Sequence, residues 1–219
     1  MRKLFSDKEL KAVEEAVKEA EQRTSGEIVT YVVQRSASYA VAQWRIGASF
    51  ALLAYIVVLI GSMAYSGWSL GWLFSLGGMG LAVLVSATLG LLIVKFVPGI
   101  ERIFVGSQSM MEAVRDRSVR AFLEEEVFDT RERTGILIFI SLFERRVEVV
   151  GDTGINARVK EDEWGHVVED ILLGIRARKT ADGLVQAIER CGMLLELKGV
   201  ELRDDDENEL SDSVRFRPR

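Results

Sequence analysis

The chain between Arg45 and Lys95 reads IGASFALLAYIVVLIGSMAYSGWSLGWLFSLGGMGLAVLVSATLGLLIV, residues 46–94, and these 49 residues contain no charged side chain. All 28 Lys and Arg residues and all 33 Asp and Glu residues lie outside this stretch. A helix crosses about 30 Å of hydrocarbon with about 20 apolar residues, so the stretch has room for two membrane-spanning helices and a short turn. The composition therefore predicts a membrane protein with a strongly polar remainder and excludes a purely water-soluble enzyme.

The two spans are predicted at residues 44–65 and 70–97. The break between them is expected at Gly61-Ser62 and Ser66-Gly67, because glycine and serine pairs favour turns. Pro98-Gly99 is expected to end the second span. Aromatic side chains near the predicted span ends suit the headgroup layer, and they are Trp44, Tyr65, Trp68 and Trp72.

Basic residues flank the two spans on one side, and the turn between the spans carries no charge; the flanking residues are Arg35, Arg45, Lys95 and Arg102. The positive-inside rule then predicts a two-pass protein of the inner (plasma) membrane, with the soluble domain and both termini in the cytoplasm. A channel or carrier would place an ionisable group at membrane depth. Since the spans contain none, they are interpreted as an anchor in the lipid bilayer.

Small residues recur at intervals of four in both spans, at Gly47 and Ala51 and at Ala82, Ser86 and Gly90. Such spacing lets helix backbones approach closely. The pattern indicates contact within the hairpin, or alternatively contact between subunits of a homo-oligomer.

The soluble part begins with Ser6-Asp7-Lys8-Glu9, a capping box that predicts a helix start. The following segment Glu27–Gln34, EIVTYVVQ, is rich in β-branched residues and predicts a strand that is apolar on both faces. A single strand is not stable alone. Its partners are expected beyond the membrane hairpin, at Gly135–Leu142 (GILIFISL) and Arg146–Val150.

The predicted element order is α-β-(membrane hairpin)-α-β-β-α-α, which indicates an α/β fold, an α-β-α sandwich interrupted by a two-helix transmembrane hairpin. Residues 1–43 and 99–199 are expected to form one split α/β domain, and residues 44–98 the hairpin. Residues 200–219 contain Asp204-Asp205-Asp206-Glu207 and then alternating arginines. This composition predicts a disordered charged tail.

One group of oxygen-bearing side chains is a candidate metal site: Asp152, Asn156 and Asp162. Asp152 follows a predicted strand, in a loop bracketed by Gly151 and Gly154, and α/β sheets bind ligands in loops at strand ends. Asp152 would accept backbone N–H groups of its own loop. The alternative is that it ligates calcium or magnesium, or positions a water for attack on a phosphoester.

No catalytic residue is assigned from the sequence. His166 is expected on a solvated surface, and Cys191 lies on the apolar stripe of a predicted helix, where it is expected to be buried filler. A Ser/His/Asp spacing, a Gly-x-Ser-x-Gly motif, a Walker loop and a Cys-x-x-Cys motif are missing. A single cysteine excludes a disulfide scaffold, and a net charge of −5 argues against nucleic acid as a partner.

The motifs of the soluble part, taken in order, resemble the TPM domain family. They are Arg23-Thr24-Ser25-Gly26-Glu27-Ile28, the strand pair 135–142 and 145–150, Gly151-Asp152-Thr153-Gly154-Ile155, Trp164, and Asp182-Gly183-Leu184. The resemblance covers about residues 5–36 and 105–198. It implies an α-β-α sandwich, often tethered to a membrane, and some members are described as phosphatase-like or as binding divalent cations.

Two departures from the family pattern stand out. Many relatives carry paired aspartates at the hairpin between the second and third strands, whereas this chain has Glu144 beside Arg145 and Arg146. Many relatives also carry a leading signal peptide, whereas here the tether is inserted within the domain.

Two functions follow as expectations. The first is a membrane-anchored interaction or scaffold domain, an assembly or quality-control factor whose partner is another membrane protein or a second copy of the chain. The alternative is a divalent-metal-dependent, phosphatase-like hydrolase, which is implied only by the family resemblance.

Overall fold

The computed structural model describes residues 5–64, 71–202, 205 and 208–217. The chain divides into two compact units: Met1–Ala37 with Met110–Arg219, here the α/β unit, and Ser38–Ser109, here the helical unit. The α/β unit is therefore assembled from the two ends of the chain, and the apolar stretch lies in the other unit.

Four strands form one sheet in the order β3-β2-β1-β4. They are β1 (Glu27–Val33), β2 (Gly135–Ser141), β3 (Arg146–Gly151) and β4 (Arg215–Arg217). Strands β1 and β2 run parallel over seven residue pairs, and β3 is antiparallel to β2. The predicted pairing of the N-terminal strand with a strand beyond the apolar stretch is confirmed.

The helices of the chain ends are α1 (Asp7–Glu21), α5 (Ser107–Glu124), α6 (Thr153–Asn156), α7 (Gly165–Arg176) and α8 (Thr180–Leu197). Helix α1 begins at the predicted capping box, because the backbone N–H of Ser6 donates to Glu9 Oε2 at 2.7 Å and the backbone N–H of Glu9 donates to Ser6 Oγ at 3.3 Å.

Helices cover both faces of the sheet. On one face Ile28, Val32 and Ile138 pack among apolar residues of α1, α7 and α8. On the other face Tyr31 and Phe139 stack with ring centroids 5.7 Å apart, among apolar residues of α5. Every residue of β1 and β2 is buried, as expected for strands covered on both sides. The predicted α-β-α sandwich is confirmed.

The chain after Gly199 differs from the disordered tail expected from its composition. Residues Arg215–Arg217 form β4, which pairs in parallel with Tyr31–Val33 of β1. The physical reason is that β1 would otherwise be an apolar edge strand with unpaired backbone groups. Residues 203, 204, 206 and 207, which include three of the four members of the acidic run, lie outside the described residues.

The helical unit contains α2 (Ala40–Ala64), a 3-10 turn (Gly71–Phe74), α3 (Leu76–Phe96) and α4 (Pro98–Val105). Helices α2 and α3 are long and apolar enough to cross a membrane, with mean hydropathies of 2.2 and 2.1. Most of their side chains are exposed, so they are not the core helices of a globular unit.

The ends of these helices differ in part from the prediction. Helix α2 continues through Gly61 and Ser62, because an isolated glycine is tolerated within a helix. The predicted break at Ser66-Gly67, together with Tyr65 and Trp68, lies outside the described residues. Helix α3 begins at Leu76 rather than at residue 70, because Ser75 caps it by accepting the N–H of Gly78 at 3.2 Å.

Small residues bring α2 and α3 together inside the helical unit. Ser86 Oγ donates to the backbone carbonyl of Phe50 at 3.0 Å. A Cβ atom added to Gly90 would lie 2.9 Å from the Phe50 ring, and one added to Gly47 would lie 3.1 Å from Leu91. The small-residue pattern therefore serves contact within the hairpin.

Candidate functional site

Asp152 is buried and its carboxylate already has partners. Arg133 Nε donates to Asp152 Oδ2 at 2.6 Å, and Arg133 Nη2 donates to Oδ1 at 3.1 Å. Oδ1 also accepts the backbone N–H of Thr153 at 2.7 Å, so that Asp152 caps α6. This hydrogen bond from the loop backbone is the first of the two roles that the sequence left open for Asp152.

The local backbone brings these two residues together. Arg133 has φ of 60°, in the left-handed region, and the N–H of Gly154 donates to the Arg133 carbonyl at 3.0 Å. A Cβ added to Gly154 would lie 2.4 Å from the carbonyl oxygen of Glu132. Only glycine permits this approach, which explains the Gly-bracketed loop. The hydrogen bonds to Asp152 also raise the pKa of the Arg133 guanidinium.

Asp152 lies at the amino ends of the parallel strands. Because β3 is antiparallel to β2, its last residue pairs with Ile136 at the beginning of β2, and the N–H of Asp152 donates to the Gly135 carbonyl at 2.9 Å. The rule that ligands bind at strand ends applies to the carboxyl ends of parallel strands. Asp152 therefore lies at the opposite end of the sheet from the one that this rule describes.

The other two predicted metal ligands lie nearby in the chain with different roles. Asn156 is exposed, and its Nδ2 donates to the Gly151 carbonyl at 2.6 Å. Asp162 is exposed in the 3-10 turn Glu161–Trp164. Within residues 5–64, 71–202, 205 and 208–217, no group of three or more His, Cys, Asp or Glu residues is arranged to hold a metal ion. Calcium or magnesium at these positions stays a prediction.

A cleft of about 450 Å³ lies next to Asn156. One side of the cleft is formed by α5, through Arg115, Ser118 and Val119. The other side is lined by residues 148–151 of β3, residues 159–161 and Trp164. Glu148 is half-buried there, and burial raises the pKa of its carboxyl, while the positive charge of Arg115 acts in the opposite direction.

The carboxyl ends of β1 and β2 carry a buried polar cluster that sequence reasoning missed. The backbone N–H of Ser36 donates to Glu144 Oε1 at 3.0 Å, Ser36 Oγ donates to Ser141 Oγ at 2.9 Å, and Ser141 Oγ donates to Glu144 Oε2. The feature of the sequence that could have indicated this cluster is Ser141, a polar residue at the end of the otherwise apolar strand β2. The cluster ties the segment after β1 to the β2–β3 turn.

The two remaining reactive side chains have the environments that the sequence predicts. His166 is exposed, with Nδ1 3.8 Å from Glu169 Oε2. Cys191 is fully buried in the core between sheet and helices, and this burial raises the pKa of its thiol to about 12. Neither residue is placed to act as a nucleophile or its base.

Comparison with known proteins supports the fold. Residues 100–194 match the family model described as TPM domain. The BA42 protein from the psychrophilic bacterium Bizionia argentinensis, solved by NMR, is 20% identical, with a TM-score of 0.57, 97% of this chain covered and 95% of that chain. At this identity the likeness shows the fold. The search of the curated proteins returned no match.

The matched segment, residues 100–194, is similar to a TPM domain. It contains β2, β3, α6, α7 and most of α8, and so supplies a large part of the α-β-α sandwich. Two strands of the sheet lie outside residues 100–194: β1, in the segment before α2, and β4, near the C-terminus.

Proposed function

We propose that this chain is a membrane-anchored TPM domain that binds other membrane proteins, as an assembly or quality-control factor. The observation that carries the proposal is the position of α2 and α3. They are inserted between β1 and β2, which pair with each other over seven residues. The folded domain is thereby attached to the hairpin through two chain segments rather than one.

The dimensions of the hairpin support a two-pass anchor. At about 1.5 Å per residue, the 25 residues of α2 and the 21 residues of α3 are about 37 and 32 Å long, which suits a hydrocarbon layer of about 30 Å. Arg45 lies near the start of α2 and Lys95 near the end of α3. Only 11 residues, 65–75, connect α2 to α3, so Arg45 and Lys95 would lie on the same side of the membrane. By the positive-inside rule this is the cytoplasmic side.

The side chains of the α/β unit favour binding over catalysis. The buried carboxylate of Asp152 is paired with Arg133, and that of Glu144 accepts hydrogen bonds from Ser36 and Ser141. The Cys191 thiol is buried and protonated at neutral pH. Transport is also disfavoured, since residues 46–94 contain no Asp, Glu, Lys, Arg or His that could serve as an ion or proton site.

The anchor and its orientation are tested by labelling introduced cysteines in intact cells. Gly71→Cys lies at the hairpin turn and Glu201→Cys in the soluble part, and both positions are exposed. A membrane-impermeant maleimide should label Gly71→Cys in intact cells and Glu201→Cys only after permeabilisation. The native Cys191 serves as the internal control, because it is buried. Labelling of Glu201→Cys in intact cells would overturn the orientation, and extraction of the protein by alkaline carbonate would overturn the anchor.

The binding role is tested by crosslinking followed by purification in mild detergent. A discrete membrane-protein partner or a homo-oligomer should be recovered with the wild type. Recovery of monomer alone over a range of detergents and crosslinker lengths would count against an interaction module.

A second candidate is the divalent-metal-dependent phosphatase, and the cleft next to Asn156 is the observation that favours it. Asp152 would have to exchange its pairing with Arg133 for a cation. The test is phosphomonoester hydrolysis with calcium or magnesium by the wild type and by Asp152→Asn. Equal turnover in both would remove the site assignment, and no turnover in either would remove the enzyme.

A further inference from the structure

The C-terminal segment 208–217 lies along the edge of β1 that faces away from β2, from one end of the strand to the other. At the start of β1, the carboxylate of Glu27 accepts the backbone N–H groups of Glu209 at 3.2 Å and of Leu210 at 3.3 Å. At the end of β1, Val33 pairs with Arg217. We name the surface that contacts the segment the β1-edge groove and define it by Phe5, Glu27, residues 31–33 and Glu125.

The two arginines of the segment converge on one acid. Arg215 Nε donates to Glu125 Oε2 at 2.9 Å, and Arg217 Nη2 donates to Glu125 Oε1 at 3.3 Å. The Glu125 and Arg215 side chains are each only 15% exposed. Arginine–carboxylate hydrogen bonds that are partly removed from water are among the stronger polar contacts in proteins.

The aromatic residue between the two arginines points to the opposite face of the sheet. Phe216 pairs with Val32, whose side chain belongs to the core beneath α1. The rings of Phe216 and Phe5 lie 5.4 Å apart, and Phe216 packs against that core. Alternation along the strand thus places arginines on the α5 side and an apolar ring on the α1 side.

The contact resembles a bound peptide rather than a structural strand. Only three of its residues pair with β1. Within the described residues, no other helix or strand lies between α8 and β4 or after β4. Its side chains contact separate parts of the groove. Strand addition of this type takes affinity from main-chain hydrogen bonds and specificity from alternate side chains. An edge strand as apolar as β1 requires such a cover.

We propose that the β1-edge groove is a peptide-binding site for an extended arginine–aromatic–arginine segment of a partner protein, and that residues 215–217 occupy it as an internal ligand. The charge of Glu125 selects the arginines, and Phe5 with the adjoining core selects the aromatic ring. This inference rests on the proposed function and names the chemistry of its partner. A partner segment enters by displacing the chain's own tail.

The test uses the full-length protein in mild detergent and a fluorescent peptide of residues 208–217, NELSDSVRFR, with binding followed by anisotropy. In the wild type the tail competes at the high effective concentration of a tethered ligand, on the order of millimolar. The double variant Arg215→Glu/Arg217→Glu weakens that competitor. It should bind the peptide at least ~10-fold more tightly than the wild type, a difference expected from charged hydrogen bonds. Should this variant not fold, Arg217→Glu alone replaces it, because the Arg217 side chain is 58% exposed.

The specificity is tested by reversing the charge of residue 125 in the neutral double variant Arg215→Ala/Arg217→Ala, because a tail that carries glutamates would itself pair with the site after Glu125→Arg. Glu125→Arg should abolish binding of the native peptide, and a peptide with glutamates in place of both arginines should recover it. Glu126→Arg, the same change at the exposed neighbouring residue, should leave binding unchanged.

Three results would overturn the proposal. One is equal peptide affinity of folded wild type and folded double variant. Another is retained affinity after Glu125→Arg. The third is that the wild type forms a concentration-dependent oligomer, that this oligomer requires Arg215, and that it binds no peptide. Such a result would assign the groove to the tail of a second copy of the chain. The assay does not require a bilayer, so its failure is separate from a failure of the topology experiment.

Discussion

Arg133 and Asp152 form a two-bond ion pair, with Nε–Oδ2 at 2.6 Å and Nη2–Oδ1 at 3.1 Å, that joins the turn before β2 to the N-terminus of α6. The carboxylate is buried, whereas the guanidinium is half-exposed. The pair therefore fixes the chain where β3 ends beside the start of β2.

Asp152 has two structural roles, the ion pair with Arg133 and the cap of α6, and substitution can separate them. Asp152→Asn retains an oxygen that caps α6 but removes the charge facing Arg133, whereas Asp152→Ala removes both. Both variants should lower the free energy of unfolding, and the alanine variant should lower it by about 1 kcal/mol more, the usual contribution of a cap. Urea unfolding in detergent measures this difference. Equal stability of the two variants would show that the cap contributes nothing.

Glu148 should make the protein less stable as the pH rises. Burial raises the pKa of its carboxyl above the ordinary 4.5, so the folded state holds a proton that the unfolded state has released. The free energy of unfolding therefore falls as the pH rises from about 4.5 through the raised pKa. Glu148→Gln should flatten this dependence and stabilise the protein at pH 7. The exposed Glu196→Gln is the control in thermal unfolding at several pH values, and an unchanged slope in Glu148→Gln would contradict the assignment.

Cys191 should be unreactive in the folded protein. Its thiol is buried and has a pKa of about 12, so at pH 8 the thiolate is about one part in ten thousand. Ellman's reagent should modify Cys191 only after denaturation. Glu201→Cys supplies an exposed thiol that reacts at once in the same sample. Rapid release of two thiolates per folded molecule of that variant would show that α8 opens.

Gly90 should be required for close packing of α2 and α3. A Cβ at this position would approach the Phe50 ring to 2.9 Å, whereas a Cβ at Gly80 of the same helix meets no atom within 4 Å. Gly90→Val should therefore lower the thermal stability of the hairpin in detergent, and the matched Gly80→Val should not. Similar melting temperatures for both variants would rule out this contact as the reason for the glycine.

Local patterns predicted much of the fold. The charge-free stretch 46–94 predicts two long apolar helices, and the capping box at Ser6 predicts the start of α1. The apolar runs 27–34 and 135–142 predict buried strands. These features depend on periodicity and composition within a few turns or one strand, and such information is contained in neighbouring residues.

The candidate site was less predictable because it depends on contacts between distant parts of the chain. Asp152, Asn156 and Asp162 were selected by residue type and loop position, but the direction of β3 decides which end of the sheet they occupy. The partner of Asp152 is Arg133, 19 residues away, and the cluster of Ser36 and Glu144 joins residues 108 apart.

By itself, the sequence determined the elements and their apolar faces, because helix and strand periodicity and the absence of charge are properties of contiguous residues. Only the tertiary structure decided that the charged C-terminal segment is a strand. Residues 215–217 have no strong strand signal of their own, and their conformation is set by the open edge of β1 and by Glu125, 90 residues earlier.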